Sequence, residues 1–222
     1  MSQLPDHFDL WRQTLNWQPT SQQQQQFQRL YELILAGNQR LNLTRITAPE
    51  DFWEKHLWDS LSGVAPYLVE PDSARTVIDI GTGGGFPGLP VAIACPNWQV
   101  TLLDSTHKKM AFLTDLLPEL ELQNVSLICD RAEQLHQSAQ CQEFDLALVR
   151  AVGSGDRCAE FALPLLKPGG LAILYRGQWS ETEAESLQSA VPKLGGSIES
   201  IQSWLTPLSQ SSRTCLYLRK HS

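Results

Sequence analysis

The stretch Val77-Ile-Asp79-Ile-Gly81-Thr-Gly83-Gly-Gly85-Phe86-Pro87-Gly88 carries the densest chemistry in the chain. Val77, Ile78 and Ile80 around one acid read as a short strand, which runs into five glycines within eight residues. Pro87 falls at the expected first turn of a following helix, where its missing N–H costs nothing. Strand, glycine turn and helix are the parts from which an α/β sheet builds a nucleotide pocket at its carboxyl edge. Two further groups fall where such a pocket needs them. Asp104 ends the next apolar run, about twenty residues beyond the turn, where a carboxylate takes ribose hydroxyls; it is equally suited to cap the helix that starts at His107-Lys108-Lys109. Arg150 ends the fourth apolar run, which puts its guanidinium at the same edge.

Other constellations fail on spacing. His56, Asp59 and Ser60 stand within one helical turn, where the base cannot reach the nucleophile while the acid orients it from behind. No Gly-x-Ser-x-Gly elbow occurs, so a serine hydrolase is set aside. The five cysteines (Cys95, Cys129, Cys141, Cys158, Cys215) form no Cys-x-x-Cys and are odd in number. They read as reduced thiols, several of them buried, in a cytoplasmic protein. The histidines lack metal-ligand spacing, so no metal is expected. A net charge of −7 counts against non-specific coating of nucleic acid, yet it is silent about local basic patches. Neither a membrane-spanning apolar run nor a signal-peptide start is seen in the 222 residues, and no membrane association is expected.

Positioning these groups takes two kinds of element. Residues 1–70 read as a helical cap and 71–222 as an α/β core, together one compact unit. In the cap, Leu4 to Leu15 has helical apolar spacing. Thr20-Ser21 then caps a helix through Phe27, Leu30, Tyr31, Ile34 and Leu35, closed by Gly37-Asn38. Gln22 to Gln26 reads as the solvated side of that helix. Pro49-Glu50-Asp51 starts another, carrying Phe52, Trp53, His56, Leu57 and Leu61. From Arg75 onward strands and helices alternate, which argues for a parallel sheet covered on both faces. The expected core elements are a crossover helix Leu89–Cys95 and strands Trp98–Leu103, Val125–Cys129, Phe144–Val149 and Leu171–Tyr175. Pro164-Leu-Leu-Lys-Pro-Gly-Gly170 serves as a turn before the last of these. Ser180 caps an acidic, solvated helix. Ile198–Leu205 and Thr214–Leu218, joined without a helix, finish the sheet as an antiparallel pair.

The glycine turn fits two registers. Gly83-x-Gly85-x-x-Gly88 matches a dinucleotide fingerprint, whereas Gly81-x-Gly83-x-Gly85 matches the first motif of S-adenosylmethionine (SAM) methyltransferases. Asp79 favours SAM, because a carboxylate there repels a pyrophosphate and suits the ammonium of a methionine moiety. The order of helical cap, Asp79-glycine turn, Asp104, Leu166-Lys-Pro-Gly-Gly and closing hairpin then resembles a class I, Rossmann-like SAM methyltransferase. This fold has a mostly parallel seven-stranded sheet with a C-terminal antiparallel pair and, here, an N-terminal helical extension.

The resemblance extends over nearly the whole chain. Asn42-Leu-Thr44, His56-x-x-Asp59-Ser60-Leu61, Asp79-Ile-Gly-Thr-Gly-Gly-Gly-Phe-Pro-Gly88, Leu103-Asp-Ser105 and Arg150-Ala151 are similar to the bacterial 16S ribosomal RNA guanine-N7 methyltransferases, the glucose-inhibited division protein B family. The likeness implies SAM as methyl donor and S-adenosylhomocysteine as product. Its expected contacts are Asp79, Gly81, Gly83, Gly85, Phe86, Asp104, Ser105, Ala132, Glu133 and Arg150. Glu133 reads as well as an ordinary helix-entry acid. The implied target is guanine N7 in the decoding-region loop of 16S rRNA within the small subunit, modified by a cytoplasmic monomer. Guanine N7 carries a free in-plane lone pair, so no catalytic base is required and none is assigned. Arg131, Arg176, Arg213 and Lys220 are candidates for a basic rim around the pocket that meets RNA. Arg176 departs from the lysine common in the family, which changes the donor geometry. The rival classes are a NAD-dependent oxidoreductase, a SAM methyltransferase of a protein or small molecule, and a non-catalytic assembly factor.

Overall fold

The computed structural model describes residues 3–69, 73–138 and 141–221. Among these, seven strands are present: β1 (Thr76–Ile80), β2 (Gln99–Leu103), β3 (Val125–Ile128), β4 (Phe144–Arg150), β5 (Leu166–Arg176), β6 (Gly196–Leu205) and β7 (Ser212–Lys220). They form one sheet in the order β3-β2-β1-β4-β5-β7-β6. β1 to β5 pair parallel, and β7 inserts antiparallel between β5 and β6. This is the expected mixed sheet. Alternation along each strand divides the core into two faces. Val77, Leu146, Leu148, Leu171, Ile173 and Tyr217 face one cluster, whereas Ile78, Ile80, Ala147, Val149, Leu174 and Leu216 face the other.

The first cluster continues without a break into the helical cap. It joins Trp11, Phe27, Ile34, Phe52, Trp53, Leu57 and Leu61 to the sheet and to α6 (Gly88–Ala94) and α7 (His107–Glu119). The cap holds α1 (Phe8–Leu15) and α2 (Ser21–Asn38), and the Thr20 capping box at the start of α2 is present as expected. Next comes a rod made of α3 (Pro49–Phe52), a wider π-type turn Trp53–Trp58 and α4 (Asp59–Ser62), followed by α5 (Ala65–Leu68). The second face is covered by α8 (Ala132–Leu135), α9 (Gly155–Ala162) and α10 (Glu181–Ala190). The expected boundary between residues 70 and 71 lies outside the described residues.

Several details differ from expectation. The first helix begins only at Phe8, and the Leu4 N–H instead donates to Gln28 Oε1 at 2.8 Å. The glutamine tract is not all solvated. Gln23 Nε2 donates to the Ile93 and Ala94 carbonyls, and Gln26 Nε2 to the Leu120 carbonyl, so two of its side chains close helix ends of the core. Pro87 immediately precedes the first residue of α6 instead of standing inside it. Leu166-Lys-Pro-Gly-Gly is part of β5: Leu166 pairs with Phe144, and after a register shift Leu171 pairs with Leu146. The segment is therefore a bulge in a long strand, not a turn before a short one.

Candidate active site

The glycine turn is organised from below by Asp79. Its side chain is fully buried, and its Oδ2 accepts from Thr82 Oγ1 (2.5 Å) and from the Gly88 N–H (2.8 Å), drawing α6 onto the end of β1. Burial pushes the carboxyl up to about 6, against the downward pull of the Thr82 and Gly88 donors. Asp79 Oδ1 has no hydrogen-bond partner among the described residues. Gly81 leaves β1 with φ +72°, and a Cβ there would stand 2.6 Å from Val152 Cγ2, so both the backbone and the space demand glycine.

Asp104, at the end of β2, does both of the jobs read for it. Its Oδ1 accepts from the Thr106 N–H (2.8 Å) at the start of α7, and its Oδ2 accepts from the Gly83 N–H (2.9 Å) of the glycine turn. Two of its lone-pair sites remain for a ligand. A cavity of about 340 Å³ opens beside it, lined by Gly81, Asp104, Ser105, Arg131, Ala132, Glu133, Ala151 and Val152 among others. Glu133 Oε1 accepts from Arg157 Nη2 (3.1 Å).

A second cavity, of about 330 Å³, lies along the same sheet edge and is lined by Asp59, Arg150, Ala151, Tyr175, Arg176, Gly177, Gln178 and Arg213. Ala151 belongs to both cavities, and it holds the left-handed backbone (φ +57°) that turns the chain away from β4. The sequence reading put Arg150 with the Asp104 group. Its guanidinium instead faces the cap, donating to the Lys55 carbonyl (3.0 Å) and Asp59 Oδ2 (3.0 Å) and meeting His56 Nδ1 at 3.3 Å.

Gly81, Asp104, Ser105, Ala132 and Glu133 are thus brought together, and Gly83 reaches them through Asp104. Gly85 faces Leu89 and Leu113. Phe86 is buried and stacked on His56 at 4.3 Å, so it supports the turn and forms no wall of either cavity. Arg131 and Arg213 lie at the carboxyl edge. Arg176 lies there as well, but Glu183 of the acidic helix holds its Nη2 at 2.5 Å. Lys220 corrects the idea of one continuous rim: it pairs with Gly196 at the opposite end of the sheet, its ammonium on the Leu194 carbonyl. β7 runs antiparallel, so its end lies where the parallel strands begin. His56 and Asp59 form no relay with Ser60, whose hydroxyl is turned back onto the His56 carbonyl. Sequence reading gave Asp59 no role of its own, because its partners Arg150 and Arg213 stand 91 and 154 residues away, beyond any local pattern.

Topology and site together define the class. Solved structures with this fold include the 16S rRNA (adenine(1408)-N(1))-methyltransferase from Catenulisporales acidiphilia (TM-score 0.57, 17% identity, 71% of this chain and 89% of that one). Another is M. jannaschii TYW2 in complex with AdoMet (TM-score 0.55, 13% identity, 72% of this chain and 74% of that one). The fold is that of a class I SAM-dependent methyltransferase. The family model described as GidB, rRNA small subunit methyltransferase G, matches residues 23–213. Curated relatives named ribosomal RNA small subunit methyltransferase G include those of Nostoc punctiforme (60% identical, 98% of this chain, 90% of that protein) and Microcystis aeruginosa (54%, 98% and 99%). The chain belongs to the rRNA small subunit methyltransferase G family.

Proposed function

We propose that the protein transfers a methyl group from SAM to N7 of a guanine in the decoding-region loop of 16S rRNA. The observation that carries this reading is the pair of cavities meeting at Ala151, one beside the acid of the glycine-turn strand's neighbour and the other walled by arginines. The residues fit SAM. The first cavity has the size of a small-ligand site, which runs from about 300 to 1,000 Å³. Asp104 keeps acceptor capacity for ribose hydroxyls, while Asp79, fully buried and lining neither cavity, holds the turn from beneath. When bound, SAM supplies a methyl on a positively charged sulfur, ready for displacement by a lone pair.

The protein's part is alignment. Guanine N7 has no proton to lose before attack, so the side chains need only hold the base and exclude water. Asp104, Ser105 and Ala132-Glu133 fix the nucleoside end, and the rigid Asp79-Thr82-Gly88 contacts fix the turn beneath it. Arg150 lines the second cavity at the end of β4, one residue before the Ala151 that the two cavities share. Arg131, Arg176 and Arg213 meet the RNA at the carboxyl edge. The substrate places the reaction in the cytoplasm, with the enzyme acting as a monomer on the small subunit.

The test supplies the purified protein with labelled SAM and small subunits from cells lacking this activity, then maps N7-methylguanine by strand scission and primer extension. One new stop in the decoding region is the expected result. Label in RNA without that stop would overturn the target. Transfer to protein or a small molecule would overturn the substrate class, and binding to subunits with no methyl left behind would make the chain an assembly factor.

A further inference from the structure

The motifs Asn42-Leu-Thr44 and His56-x-x-Asp59 lie outside the lining of the first cavity, yet the structure ties them to the second. Asp59, carried on the cap, bridges guanidiniums from two strands that are not neighbours. Its Oδ2 accepts from Arg150 Nη1 of β4 and its Oδ1 from Arg213 Nε of β7, each at 3.0 Å. The three side chains are 9%, 16% and 23% exposed, enough removed from water for this pairing to fix geometry. His56 Nδ1 meets Arg150 Nη2 at 3.3 Å. A guanidinium only donates, so Nδ1 accepts and the ring proton stays on Nε2. That proton is donated to Thr44 Oγ1 at 2.8 Å, and Asn38 Oδ1 in turn accepts from the Thr44 N–H at 3.0 Å.

The chain of contacts ends on open donors. Arg213 uses Nε on Asp59 and Nη1 on the Ser212 carbonyl, while Nη2 has no partner among the described residues. Three guanidiniums line the cavity against the single carboxylate of Asp59, and the counter-charge of Arg176, Glu183, stands outside the lining. An anion is the ligand such a wall selects, and RNA offers one beside every base.

We propose that Asp59 is the positioning residue of an anion subsite, holding Arg150 and Arg213 so that the free donors of Arg213 meet a phosphodiester oxygen next to the target guanine. The inference rests on the methyl-transfer reading above and gives its substrate a defined foothold.

Asp59→Asn separates this idea from simple charge. Removing a negative charge beside two guanidiniums favours RNA binding by Coulomb attraction, whereas loss of positioning slows transfer. The experiment compares the wild-type protein, Asp59→Asn, Arg213→Gln and the double variant. It reads melting temperature, SAM affinity, and kcat and KM on small subunits, with subunit binding measured across salt. Asp59→Asn is expected to lose tenfold or more in kcat with SAM affinity within twofold and no matching rise in KM. Arg213→Gln is expected to lower the slope of log affinity against log salt by about 0.7, the value of one single-strand phosphate contact. The double variant should be no slower than the slower single one, since both act through one contact.

Wild-type kcat in Asp59→Asn, an unchanged salt slope in Arg213→Gln, or losses that multiply in the double variant would each overturn the proposal. A fall in SAM affinity matching the fall in kcat would assign the anion to the methionine carboxylate instead, which also overturns it. Should Asp59→Asn fail to fold, Arg213→Gln decides alone, because it leaves Asp59 paired with Arg150. A wild-type protein that methylates no subunit would refute the methyl-transfer reading, an outcome distinct from a variant that matches an active wild type.

Discussion

Asp79 makes the protein's stability depend on pH in a direction that can be worked out. Its carboxyl is raised from 3.8 to about 6 by burial. Between those values the folded chain keeps the proton and the unfolded chain releases it, so stability is fully present below pH 3.8 and is lost as pH rises through about 6. At about 1.36 kcal/mol per pH unit the gap is worth about 3 kcal/mol. Asp79→Asn is the fitting perturbation. Its amide oxygen still accepts from Thr82 and Gly88, and it carries no charge at any pH. Urea unfolding of both proteins from pH 4 to pH 8 cancels every other titrating group. Wild-type stability should fall relative to the variant by about 3 kcal/mol across that range, or about 6–12 °C in Tm for a chain of this size. A stability difference that stays flat with pH, or that grows in the wild type's favour, would refute the assignment of a costly buried charge beneath the turn.

Three further outcomes follow from the same geometry. Asp104→Asn replaces one of two charged acceptors at the Gly83 and Thr106 N–H groups by a donor; it should weaken SAM about tenfold or more, by isothermal titration, and cost about 1–3 kcal/mol of stability, read as a lowered Tm. Gly88→Ala would put a Cβ 2.2 Å from Leu102 Cδ2 and 2.8 Å from Asp79 Oδ2, and overpacking of this kind costs about 1–3 kcal/mol, read as a lowered urea midpoint. His56 is pushed down to about 3 by burial and then by Arg150, so its contribution is present above pH 6.5 and lost as pH falls. Wild type should therefore lose about 2 kcal/mol relative to His56→Gln between pH 6.5 and pH 5, by urea unfolding.

The sheet was legible because its signals are local. Two-residue alternation, glycine turns and apolar runs set each strand and its neighbours, and Asp104 could be read as ligand and cap because both roles depend on what precedes and follows it. What escaped was set by contacts between distant segments. Lys167-Pro-Gly-Gly170 carries a turn signature, yet pairing of Leu166 with Phe144 draws it into a strand. Gln23 and Gln26 look like solvated polar residues until the helix ends that need their amides lie opposite them. Lys220 counts as basic in any sequence sum, but only the antiparallel run of β7 shows that it stands at the wrong end. Phe86 and Arg150 were grouped with SAM by their motifs, and the cap helix is what turns both toward His56.

That cap is bound to the sheet by polar contacts as well as apolar ones, and they converge on the rod that carries Asp59. Tyr175 and Tyr217 donate from β5 and β7 to the carbonyls of Ser60 and Gly63 at 2.8 and 3.0 Å. Glu54 accepts the Leu208 and Ser209 N–H groups of the β6–β7 connection at 2.6 and 2.8 Å, and those donors hold its carboxyl below the usual range against the opposing effect of burial. With the two arginines on Asp59, groups from β4, β5, β7 and the β6–β7 connection therefore grip one rod, within its π-type turn at Glu54 and just beyond it from Asp59 to Gly63; such turns are common at functional sites. The rod thereby fixes where Arg150 and Arg213 stand in the second cavity. On the proposed reading this lets an acidic protein act on RNA. Its net charge of −7 gives an arbitrary RNA helix little long-range attraction, and the arginine wall rewards a strand that enters the cavity mouth.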